Sequence, residues 1–161
     1  MVPKEDLKEV VILEFLTDAM LERIQPLFEL IQINEQRLIF EEGGNEEIFY
    51  MLKQGKILLE KSISNQITVS LGAIKPGYSF GWSAIFGEPY TVTADCVEPS
   101  EVLAIDGNKL YETLNSDHEM GFVVMQSLIR VIKNRMDRMQ DQFLKAIREH
   151  PDIEPLIEPA S

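Results

Sequence analysis

The sequence predicts a mainly β domain with flanking helices, and three observations carry that prediction. Between residues 32 and 106 the apolar pattern is short, β-rich and partly alternating. On either side of that stretch the apolar spacing is helical. The middle is cut by closely spaced turn signals, Gly43-Gly44, Gln54-Gly55, Ser64-Asn65, Pro76-Gly77, Gly87-Glu88-Pro89 and Glu98-Pro99. Many short strands at such spacing point to a sandwich or a double-stranded β-helix (jelly-roll) barrel, not to a parallel sheet with crossover helices.

In chain order, residues 10–16 form an apolar run, after which Thr17 or Asp18 can cap a helix. Leu21, Ile24, Leu27, Phe28 and Ile31 recur on one face of that N-terminal helix, and Pro26 inside the pattern kinks or splits it. Strands are expected at residues 37–40, 48–53, 56–61, 66–74, 91–96 and 101–105. Asp106 can then cap a short helix through Leu114. Ser116 and Glu119, three apart, have the form of a capping box for a long C-terminal helix over residues 118–149. Along it Met125, Ile129, Ile132, Met136, Met139, Phe143 and Ala146 alternate at spacings of four and three, a heptad seam. The Pro- and Glu-rich tail, residues 151–161, is expected to be disordered, and residues 1–150 to be one domain.

Composition narrows the function. A chain of 161 residues can bury a core without staples, and its lone Cys96 excludes an internal disulfide framework, so a reducing, cytoplasmic setting is expected. Cys96 reads as a small buried strand residue, since nothing positive lies near it in sequence. The net charge of −12 argues against direct nucleic-acid binding, and no apolar stretch approaches the ~20 residues of a membrane span. The N-terminus has no signal-peptide pattern. Both histidines, His118 and His150, fall outside the strands, which counts against a barrel metal site, and neither a P-loop nor a Ser-His-Asp set is present. An enzyme is not expected, and no cofactor is specified.

Residues 76–94, PGYSFGWSAIFGEPYTVTA, form a tight loop between strands, a backbone arrangement suited to an anion. With Phe40-Glu41-Glu42-Gly43-Gly44, the strand pair from Phe49 to Ile57 around Gly55, the run Gly77 to Gly81, and Asp106 to Leu110, it resembles the cyclic-nucleotide-binding domain family of catabolite-activator and FNR-like sensors over about residues 11–147. The resemblance implies a phosphate-binding cassette built from a Gly-Glu and a later Arg-Ser/Thr-Ala. Trp82 stands after Gly81 where the glutamate is expected, and Tyr90-Thr91-Val92 takes the place of Arg-Ser/Thr-Ala. The backbone of Ser83 and Ala84 and the hydroxyl of Thr91 remain. Charged hydrogen bonds contribute roughly 1.5–3 kcal/mol each, so losing both anchors would weaken cAMP or cGMP binding about a hundredfold or more.

The departures leave alternatives. Trp82 and Tyr90 can form an aromatic pocket for another small ligand, or they can plug the pocket. Arg135, near the position from which the family's long helix reaches the bound base, can supply the missing charge; alternatively Arg130, Arg135 and Arg138 form a solvated face paired to Asp137 or Asp141. The seam can make a homodimer or pack on the barrel. The candidate ligand-binding set is thus Gly81, Trp82, Ser83, Ala84, Tyr90, Thr91 and Arg135. Two readings stand: a regulatory, ligand-sensing module without the family's DNA-binding helix-turn-helix, binding cyclic nucleotides weakly or another ligand instead, and a pseudo-sensor acting as a dimeric scaffold for an unknown protein partner.

Overall fold

The computed structural model describes residues 2–153. Thr17 starts the first substantial helix: extended at φ −68°, ψ 160°, it accepts at Oγ1 from the Met20 N–H at 3.3 Å. A single short turn, α1 (Lys4–Lys8), precedes it, and Val10, Ile12, Leu13 and Leu16 are buried between the two. α2 (Asp18–Ile24) buries Met20, Leu21 and Ile24, and then Pro26 acts. Gln25–Leu27 is one 3-10 turn, and Phe28 is already extended. The expected helical face through Phe28 and Ile31 therefore does not form. Glu29–Ile33 is instead β1, whose backbone groups are satisfied by antiparallel pairing, Glu29 opposite Ala104 and Ile33 opposite Ser100.

The remaining strands are β2 (Arg37–Phe40), β3 (Ile48–Ser64), β4 (Ile67–Ile74), β5 (Ser79–Phe80) and β6 (Thr93–Asp106). All pairings are antiparallel, in the order β1-β6-β3-β4, with β2 also on β6 and β5 on β3. This mainly antiparallel sheet with a flanking N-terminal helix and a long C-terminal helix is the jelly-roll architecture that the period change in the sequence predicts. Phe49, Met51, Leu52, Ile57, Phe80, Val102, Leu103 and Ile105 form its fully buried centre. The continuous burial of β6 from Val102 to Ile105 marks a segment covered on both faces.

Two expected turns are not turns. Gln54-Gly55 and Glu98-Pro99 lie across from each other in the β3–β6 ladder, where the register slips between Leu52 and Ile57. They bend two long strands in place of separating four short ones. Gly55 is required there: its φ is +96°, and a Cβ would lie 2.2 Å from Ser100 Oγ and 2.6 Å from Pro99 O. The buried Ser100 Oγ accepts from the Lys56 N–H at 3.1 Å and donates to Glu98 O at 2.7 Å, replacing ladder bonds lost at the bulge. The strand expected from Thr91 begins at Thr93, because residues 91–92 make a bend.

Asp106 caps α3 (Gly107–Ser116), its Oδ1 accepting from the Lys109 N–H at 3.0 Å, as the sequence predicts. The capping box does not form. Ser116 is the last residue of α3 and donates to Thr113 O at 2.9 Å, while Asp117 caps α4 (His118–Arg148) by accepting from the Met120 N–H at 3.0 Å. Its second oxygen pairs with Arg23 of α2. The backbones of α3 and α4 approach closely at Gly121, where a Cβ would lie 2.5 Å from Leu114 O. The chain divides into two compact units, Met1–Met125 and Gln126–Ser161. The first holds the sheet, α1 to α3 and the start of α4. The second holds the rest of α4, with Ile129, Ile132, Met136, Met139 and Phe143 exposed, and a turn at residues 151–153. Most of the expected disordered tail, residues 154–161, lies outside the described residues.

Candidate ligand site

Gly81 opens the cassette because it alone can take the conformation required: φ is +76° at the point where β5 turns into a 3-10 helix, Trp82–Phe86. Space is equally short there. A Cβ on Gly81 would meet Ile48 O, Phe40 Cε1 and Tyr90 Cε1, each at 3.3 Å. The short helix is held from the other side by α3. Gly107 donates its N–H to Glu47 O at 2.8 Å, and a Cβ on it would lie 2.2 Å from Ala84 O. Ala84 is fully buried and Ser83 half-buried, and the Ala84 N–H turns back to Gly81 O at 3.2 Å. Trp82 is half-buried and donates its indole N–H to the buried Ser79 Oγ at 3.0 Å.

Tyr90 is turned inward. Only 2 % of its surface is exposed. Its ring stacks on Phe40 with centroids 3.8 Å apart and planes 15° from parallel. Phe40 in turn stacks on Tyr50 and Phe80, at 5.9 and 6.0 Å, and Tyr50 on Phe80 at 5.3 Å, so four aromatic rings form one stack. The Tyr90 hydroxyl donates to Ile48 O at 2.6 Å and accepts from the Ile48 N–H at 3.3 Å. Its backbone is fixed as well, by Gly43 N–H to Tyr90 O at 2.7 Å and Tyr90 N–H to Gly44 O at 2.9 Å. Burial, and then the charges of Tyr50 and Glu46, push the phenol well above its ordinary value; the Ile48 bond pulls the other way and is outweighed. The group stays neutral and can donate.

The electrostatics around the rim are acidic. A cavity of about 410 Å³ is lined by Leu38, Ile39, Phe40, Gly43 and Gly44 and by three carboxylates, Glu41, Glu42 and Glu46. Lys61 reaches the rim, but it pairs with Glu42 at 2.8 Å and donates to Thr91 O at 2.9 Å. Thr91 itself is exposed. Of the candidate set, Gly81, Trp82, Ser83, Ala84 and Tyr90 come together around the cassette helix, with Thr91 next to Tyr90 on the exposed bend. Arg135 belongs to the second unit, on α4, where Lys133 pairs with Asp137 at 2.6 Å and Arg138 Nε donates to Asn134 O at 3.3 Å. Sequence reasoning missed Phe40 as the partner of Tyr90, and Tyr50 and Phe80 behind it, although three aromatics in the strands preceding the cassette were a signal. It could not have found Ile48, whose partnership is a backbone one across 42 positions.

The model of the cyclic nucleotide-binding domain matches residues 30–117, the stretch from β1 to the α3–α4 junction. The chain belongs to that family. A cyclic nucleotide-binding domain from Methylobacillus flagellatus is similar at a TM-score of 0.78 and 16% identity, over 89% of this chain and 85% of that one. A protein from Geobacter metallireducens assigned to cyclic-nucleotide binding is similar at 0.73 and 26%, over 84% and 99%. The regulatory domain of Toxoplasma gondii PKA, solved with cAMP, is similar at 0.61 and 19%, over 89% of this chain and 49% of that one. No curated protein matches the chain. As a cyclic nucleotide-binding domain it has the fold of regulatory sensor domains, and no helix among its described residues is long and apolar enough to cross a membrane.

Proposed function

We propose that this cyclic nucleotide-binding domain is a regulatory pseudo-sensor, a cytoplasmic, non-enzymatic dimerisation scaffold whose phosphate site is closed by Tyr90. The observation that carries this reading is the burial of Tyr90. A side chain at the family's arginine position that held an anion would face the cassette backbone. Here it stacks on Phe40 and spends its hydroxyl on both polar groups of Ile48. The exposed glutamates at the rim, Glu41, Glu42 and Glu46, oppose an incoming phosphate further, though water and the Lys61 pair weaken that repulsion. The exposed seam of α4 supports a homodimer through that helix, with residues 1–150 acting as one module.

The sensing alternative keeps one observation in its favour. Trp82 and Ser83 are half-exposed and Thr91 is exposed, so a small ligand other than a well-held cyclic nucleotide can still reach the cassette. Trp82 is the only tryptophan and reports on this place directly. Titration of its emission with cAMP, cGMP and a panel of nucleotides is expected to be flat. A saturable change at micromolar ligand would reject the closed-site reading in favour of a sensor. The double variant Trp82→Glu with Tyr90→Arg is expected to gain cAMP affinity by about a hundredfold, from the two charged contacts restored.

A further inference from the structure

The outer half of β3 and all of β4 form a hairpin that touches the site above only through Lys61. Residues 61–73 are exposed without interruption. Four large apolar side chains lie among them: Ile63 is 70 % exposed, Ile67 54 %, Leu71 43 % and Val69 38 %. Lys61 stands opposite Val69 and Ser62 opposite Thr68, so the period of two gathers Ile67 and Val69 on one face and Thr68 and Ser70 on the other. Leu71 is the extra residue where the register slips between Leu59 and Glu60, and at Gly72 (φ +128°) the space beyond is open. A two-stranded ribbon standing in water on both faces is marginal by itself.

β4 is also an end strand, and among the described residues only β3 pairs with it. Natural edges are ordinarily protected by lysine, proline or bulges. From Ser62 to Ile74 this chain has no charged residue and no proline; of the two register slips in the hairpin, one falls at its base and the other places Ile63 as an extra residue in β3, so β4 itself runs from Ile67 to Ser70 without an inserted residue. That neutrality is unusual in a chain of net charge −12. Two copies repel where their acidic surfaces meet, and a strongly charged peptide finds nothing to pair with along β4. A neutral, apolar, unpaired strand is complementary to itself.

We propose that β4 pairs edge to edge with β4 of a second copy, antiparallel about a two-fold axis, so that the two sheets become continuous and Ile67 and Val69 of each copy are covered. The contact is isologous and closes on itself, as a two-fold interface must. It is separate from the α4 seam, and with it would join dimers into a higher assembly.

The test uses the full chain and separates the two interfaces. The seam variant Met136→Glu with Phe143→Glu is expected to remain a dimer in sedimentation velocity at high concentration, and adding Val69→Lys is expected to make it monomeric. Hydrogen exchange in residues 67–71 of the seam variant is expected to slow roughly tenfold or more as concentration rises, because pairing buries those amides. If Val69→Lys disturbs the far-ultraviolet spectrum, Ile67→Glu takes its place. A seam variant that is monomeric at every concentration, or exchange at residues 67–71 that ignores concentration, overturns the proposal and leaves a strand of another protein as the occupant of this edge. A wild type that is only a dimer and a seam variant that is only a monomer would reject β4 pairing while upholding the seam.

Discussion

Tyr90 stands where the family resemblance would put an arginine, and its position in this fold is a matter of local satisfaction. An arginine packed inward as Tyr90 is would have to bury its charge among aromatic rings. A tyrosine instead fills the volume and closes two hydrogen bonds on one backbone residue. Tyr90→Phe should keep the stacking on Phe40 but leave Ile48 N–H and C=O without their partner, which costs about 1–3 kcal/mol for buried polar groups. Thermal melting is expected to fall accordingly. The sign of the pH effect follows from the raised phenol value in the folded state. Its stabilisation is fully present below the unfolded value near 10 and is lost as pH rises towards the folded one. The wild type should therefore lose stability at alkaline pH through Tyr90, and Tyr90→Phe should show a shallower alkaline fall. An equal alkaline slope in both proteins would remove Tyr90 from that role.

At the scale of elements, Asp117 ties two helices together with one carboxylate. It is the single non-helical residue between α3 and α4, it caps α4, and it pairs with Arg23 at the end of α2. The Met120 N–H holds its carboxyl below the ordinary value; burial opposes this, and the Arg23 charge and hydrogen bond add to the lowering. A depressed folded value means that this stabilisation is present above the unfolded value near 3.9 and is lost as pH falls through the folded one. Asp117→Asn keeps a capping oxygen and loses the charge; Asp117→Ala loses both. Melting at neutral pH is expected to rank wild type above Asn and Asn above Ala, with the acid-side loss reduced in both variants. If Asn melts with Ala, capping is irrelevant and the ion pair carries the effect. The sequence signal at this junction was misread for a physical reason. Ser116 and Glu119 have the right spacing for a capping box, but α3 keeps its hydrogen bonds one residue longer than the spacing assumes, so Asp117 takes the N-cap place.

Across the whole molecule, the fold was legible in sequence where its determinants are periodic and local, and illegible where they are pairings between distant segments. The switch from helical to strand period pointed to a sandwich or a jelly roll, the family resemblance to the jelly roll, and Thr17 and Asp106 were readable as caps because their partners lie three residues away. Gly55 and Pro99 looked like turns because bulges and turns use the same residues, and only their opposition in the ladder distinguishes them. The site divides in the same way. Trp82 and Tyr90 were visible as departures from the family's cassette, but the inward turn of Tyr90 depends on Phe40 and Ile48, far away in sequence. The α4 seam is the remaining large-scale feature legible in the sequence, and its exposed Ile129, Ile132, Met136, Met139 and Phe143 make it testable. Five large apolar side chains open to water along one helix at heptad spacing are costly unless covered, at about 25 cal/mol for each Å² of apolar surface. Glutamate at Met136 and Phe143 places two like charges at the centre of any helix pair while leaving a lone exposed helix nearly unaffected. Sedimentation equilibrium should then show weaker self-association by about a hundredfold or more, since desolvating unpaired charges costs several kcal/mol, with the melting of the sheet core unchanged. Self-association that survives both substitutions with undiminished affinity would mean that the seam does not hold the copies together.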